Sequence, residues 1–158
     1  MKKDLTTAAI GGGIGGLLDA IYASTLWGMG AWQSVASGLL GKASYEGGNT
    51  TIVLGLVLHF FIAFVMALVY VKASHKLPAL VTRPLLMGVL YGLVLYVVMN
   101  FVVVPLSAIG FHAPSLMGVV KSLPPHILFV GPAIALVTAR RARGDRPGGG
   151  FSAVSERV

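Results

Sequence analysis

The chain has 158 residues, 56% of them hydrophobic and 11% charged, with no cysteine and a mean hydropathy of +0.84. A soluble domain carries about 25% charged residues, so an ordinary soluble fold is excluded. The missing cysteine excludes a disulfide framework, a thiolate metal site and a catalytic thiol. The net charge of +7 has a topological explanation, given below, and requires no nucleic-acid partner.

Thr6 to about Trp27 is the first run long enough to cross a bilayer, which takes roughly 20 residues. Lys2 and Lys3 precede it, as they would a secretory signal. However, Asp19 interrupts the apolar stretch, and Ile21-Tyr22-Ala23 is a poor cleavage site. The run therefore reads as a retained span. It opens GGGIGG, and Gly12, Gly16, Asp19 and Ala23 share one stripe at i+3 and i+4 steps. A nucleotide loop would need a strand before it and a Lys at fixed spacing. Close helix packing at small residues explains these glycines instead.

A short amphipathic stretch follows, with Trp32, Val35, Ala36, Leu39 and Leu40 at helical spacing. The second expected span is Thr51 to Val71, where Gly55, His59, Ala63 and Ala67 recur at i+4 steps. The third is Leu85 to Leu106, with Gly88, Gly92, Tyr96 and Asn100 on one face and Pro105 ending or kinking it. A second amphipathic stretch holds Leu116, Val119, Val120 and Leu123. Both stretches fit half-helices on the outer surface. The fourth span is expected at Pro125 to Ala139, shorter than the others and with an earlier start left open, and Gly131, Ala135 and Ala139 lie on its packing stripe. Pro132 inside it frees a carbonyl that neighbours can satisfy. Residues 141–158, basic and then Gly-rich, read as a disordered cytoplasmic tail.

With four spans, ten Lys and Arg residues fall on one side and only Lys42 and Lys121 on the other. The positive-inside rule then puts both termini in the cytoplasm. Each outer stretch leads into a span with a His near its outer end, and each follows a span with one polar side chain. This suggests a parallel internal duplication about the membrane normal.

A polar residue inside a span marks a candidate site. At 1.5 Å per residue, Asp19 and His59 both lie about 12 Å below the outer boundary and Asn100 about 9 Å below it, while His126 falls at the rim. The expected cluster is thus Asp19 and His59 in direct reach, Asn100 tying in a third helix and His126 capping the group. Gly12, Gly16, Gly55, Ala63, Gly88 and Gly92 are the expected helix-packing residues. His75 and His112, in loops, carry no expected role.

Three uses fit such a cluster. One is internal glue in a structural or accessory protein, either a homodimer or a subunit of a larger membrane complex. Another is a proton or small-ion path with Asp19 as relay and His59 as partner. The last is a metal or haem site on the two His and Asp19. A shared haem is disfavoured if the fourth span starts at Pro125, which sets the two His about 10 Å apart in depth. No enzyme signature occurs.

Three blocks, SVASGLLGKAS, LGLVLHFFIA and LLMGVLYGLVLYVVMNFVVVPLSA, resemble the YagU-like group of small bacterial inner-membrane proteins. The likeness runs from about Gly11 to Arg140, and its most specific part is Met99-Asn100-Phe101 with Val104-Pro105-Leu106-Ser107. It implies a four-helix inner-membrane protein with no settled activity. One member of the group is linked to acid tolerance, which would suit proton handling.

Overall fold

A computed structural model of the chain describes residues 1–111 and 113–144. His112 and the tail from residue 145 onward lie outside them. The described residues are helical and connecting, with no strand. Six helices carry the fold: α1 Lys2–Trp27, α2 Gly30–Leu40, α3 Gly48–Ser74, α4 Ala79–Thr82, α5 Pro84–Leu106 and α6 Leu116–Gly144. Four of them, α1, α3, α5 and α6, are long and apolar enough to cross a membrane. The first turn of α1 carries Lys2, Lys3 and Asp4, and its apolar crossing begins at Thr6.

The four long helices run up and down. Asp4 at the start of α1 meets Lys72 and His75 at the end of α3. Tyr22 near the end of α1 donates to the Lys121 carbonyl early in α6. The Ala108 amide just beyond α5 donates to the Gly38 carbonyl of α2. One end of the bundle therefore holds the N-terminus and the α3–α4 connection, and the other holds α2.

The packing rests on backbone approach. A Cβ on Gly12 would stand 2.7 Å from the Ala63 carbonyl oxygen, and one on Gly88 would stand 2.7 Å from Pro132 Cα. On Gly92 it would run into the His126 carbonyl, and on Gly16 it would press on Ala63 and Phe60. Small residues thus bring α1 onto α3 and α5 onto α6 where lipid supplies no hydrophobic drive. Gly55 departs from that scheme: its missing Cβ makes room for the Trp32 carbonyl, so it seats α2 rather than another span. Trp32 is buried there, 3% exposed.

The fourth span differs from the expected Pro125–Ala139. One helix runs from Leu116 to Gly144 and absorbs the second amphipathic stretch. Pro124 and Pro125 sit inside it without ending it. The helix also passes the expected domain boundary after Arg140, so 141–144 belong to α6. Two π-helical turns, Met99–Val103 and His126–Val130, interrupt the α-helical ladders. Each lies just before a proline, Pro105 or Pro132. A proline cannot donate to the carbonyl four residues back and its ring crowds that carbonyl, and a wider turn relieves the conflict.

Candidate functional site

Asp19 and His59 meet at the α2 end of the bundle. Asp19 Oδ2 lies 3.8 Å from His59 Nδ1, with both side chains largely buried at 17% and 14% exposure. That distance is too long for a hydrogen bond, and Asp19 accepts none from any described residue. His59 Nε2 lies 2.9 Å from the Gly16 carbonyl oxygen. A carbonyl only accepts, so Nε2 carries the hydrogen and Nδ1 is left bare in the neutral ring. The bond joins α3 to α1 because Gly16 lets the helices close. Trp32 and Phe60 hold the imidazole edge-on, with ring centroids at 5.4 and 5.3 Å.

His126 lies deeper than a helix start at Pro125 would put it. It stands ten residues inside α6, at the opening of the π-helical turn. His126 Nδ1 is 2.8 Å from the Ser122 carbonyl oxygen, which by the same logic leaves Nε2 bare. The expected rim position is therefore corrected: His126 lines one cavity together with Asp19 and His59. That cavity, about 180 Å³, also takes its walls from Ala63, Met66, Met99 and Val130. A wider vestibule of about 460 Å³ also borders the pair, walled by Trp27, Trp32, Ser34 and Tyr45. Asp19, His59 and Val35 line both spaces.

Asn100 is placed apart from this group. Its Nδ2 donates to the Tyr96 carbonyl of its own helix, 2.9 Å away. The same carbonyl also accepts from the Met99 N–H, so the Asn100 amide is held along its own helix. Among the described residues no three His, Asp or Glu side chains converge closely enough to hold a metal ion.

Sequence reasoning missed a second polar cluster. At the terminal end Asp4 lies 2.5 Å from Lys72 Nζ and 3.1 Å from His75 Nε2. The Lys72 hydrogen bond is the main influence holding the Asp4 carboxyl below its ordinary range, and the His75 bond adds to it. The signal was the acid in the first turn of α1 facing the basic end of α3.

No protein-family model, curated protein or solved structure matches this chain.

Proposed function

We propose that the chain is a small membrane carrier in which Asp19, with His59 as partner, takes up a proton or small cation. One observation supports this above the rest: Asp19 accepts no hydrogen bond among the described residues and lines both the vestibule and the smaller cavity. A carboxylate serving only as glue would be matched to donors, because an unmatched one is costly in an apolar setting. Two histidines with one bare nitrogen each give the relay its remaining stations.

The reading extends to placement. Cytoplasmic termini are supported by the ten-to-two distribution of basic residues, and a bacterial inner membrane is what the YagU-like resemblance implies. The vestibule then faces outward, and α2 lies as a half-helix over the outer leaflet. A duplicated architecture draws its support from the sequence, where a span with one polar side chain is followed in each half by a span with a His near one end. The YagU-like resemblance stands on its sequence blocks. The competing structural reading draws on the His59–Gly16 bond, which does tie α3 to α1.

The test is proton flux into liposomes holding the purified protein, followed with an internal pH dye. Asp19→Asn should slow flux about tenfold or more, the scale of one lost charge-assisted contact. Flux unchanged in an Asp19→Asn, His59→Ala double variant overturns the carrier reading. A double variant that loses its folded elution profile instead favours glue.

A further inference from the structure

The inner cavity has a second neighbour. Between α3 and α5 runs a crevice of about 320 Å³, walled by residues such as Phe61, Val65, Val94 and Val98. Its outer flanks face the lipid: Phe61 is 61% exposed and Val94 52%. Tyr91 contributes the one polar side chain of the lining, and its hydroxyl is spent on the Met66 carbonyl at 2.7 Å. The crevice therefore offers nothing to a polar group and suits an alkyl chain. Ile62 and Met66 line both the crevice and the Asp19 cavity. Those two side chains are common to both walls, and Met is flexible enough to change its rotamer there.

The cavity, in contrast, offers acceptors. His59 and His126 each have one ring N–H committed to a carbonyl, which leaves Nδ1 and Nε2 as lone pairs. Asp19 adds a carboxylate with no donor of its own among the described residues. Acceptors spread along one cavity wall, one of them negatively charged, complement a group that carries N–H donors and a positive charge. A primary ammonium is that group. A quaternary ammonium has no N–H to give. An acidic head would be repelled by Asp19, and a phospholipid head would bring its phosphate beside that carboxylate.

We propose that this cavity binds the primary ammonium head of a single-chain amphiphile, which enters from the bilayer with its alkyl chain in the α3–α5 crevice. The proposal deepens the carrier reading and rests on it in one respect, that Asp19 is the ion-exchanging group. It names the cation and gives it a lateral route, so that proton and ammonium compete for one carboxylate.

Radiolabelled dodecylamine and the full chain in lipid nanodiscs provide the test, with empty nanodiscs as background. Saturable binding near one per chain is expected. Asp19→Asn should weaken it about tenfold or more. Val94→Trp, on the exposed wall, should weaken it by a similar factor while leaving proton flux intact. Unlabelled dodecylamine should displace the label, and dodecyltrimethylammonium and dodecanol should not. Equal displacement by either of those two, or binding indifferent to Val94→Trp and a Val65→Trp companion, overturns the proposal. So does a change of oligomeric mass in Val94→Trp, which would make the crevice a seat for a second copy. Asp19-dependent flux without dodecylamine binding overturns this inference alone, whereas binding without flux supports it and overturns only the carrier reading.

Discussion

Tyr96 buries a phenol hydroxyl that has no hydrogen-bond partner among the described residues, with its ring centroid 5.9 Å from that of His126. A buried unpaired hydroxyl carries a desolvation penalty of about 1–3 kcal/mol. Tyr96→Phe removes the penalty and keeps the edge-on ring contact, so the variant should melt in detergent no lower than the parent. A loss above about 1 kcal/mol would show that the hydroxyl has a partner in the working protein. Asp4 is the opposite case, a carboxylate that is fully matched. Because Lys72 lowers its folded value, the pair stabilises at neutral pH. That contribution disappears as pH falls through the depressed value and the carboxylate protonates. Lys72 is 53% exposed, so the effect is small: Asp4→Asn should cost about 0.2–1 kcal/mol at neutral pH and low salt, and nothing in strong acid. Melting curves at the two pH values read this directly. The depth match of Asp19 and His59 was legible because rise per residue is fixed along an unbroken helix. The turn of Asn100 toward Tyr96 was not, since a single side chain can serve its own helix as readily as a neighbouring one.

Helix identity was legible from length and apolarity, but register along the helices was not. Pro125 reads as a helix start, yet Pro124 and Pro125 sit well inside α6, and the Tyr22 hydroxyl donates to the Lys121 carbonyl that Pro125 cannot serve. The two π-helical turns shift everything after them by a fraction of a turn, and simple periodicity cannot register such a shift. The depth of His126 follows instead from the helix start at Leu116, ten residues before it. The glycine stripes were legible as faces, but their individual partners were not, as Gly55 against Trp32 illustrates. The geometry separates two kinds of glycine. A Cβ on Gly92 would collide with the His126 carbonyl, and the nearest Ile127 backbone atom would be 2.8 Å away. Gly92→Ala must therefore push α5 off α6 at the widened turn and should cost about 1–3 kcal/mol, the usual range for overpacking. Gly13, on the same stretch as Gly12, has nothing within 4 Å of its added Cβ. Gly13→Ala should stay neutral or gain up to about 1 kcal/mol from helix propensity. Unfolding titrations of the two variants side by side check the contrast; equal costs would remove backbone approach as the reason for these glycines.

At the scale of the whole molecule, the up-down order of four apolar helices makes the ends of the bundle chemically unlike. Among the described residues Lys2, Lys3, Lys72, Lys76, Arg83, Arg140, Arg141 and Arg143 belong to the terminal end, while the α2 end keeps Lys42 and Lys121. Each Lys or Arg near an anionic leaflet contributes about 1 kcal/mol of attraction, so turning the bundle over would forfeit most of that energy. The orientation should accordingly be single rather than mixed. The native chain has no cysteine, which makes it its own background for thiol labelling. Cysteine placed singly at Lys42 or Glu46 should react with a membrane-impermeant maleimide in right-side-out cells. Cysteine at Lys76 should react only after the membrane is opened. Labelling of both from outside would mean dual insertion, and the vestibule beside Asp19 would then face both compartments. Labelling of Lys76 alone would put the vestibule on the cytoplasmic side. In either event the Asp19 and His59 geometry would survive, since it depends on how α1 meets α3 and not on which leaflet lies above them. The direction in which a proton or ammonium reaches that carboxylate would change.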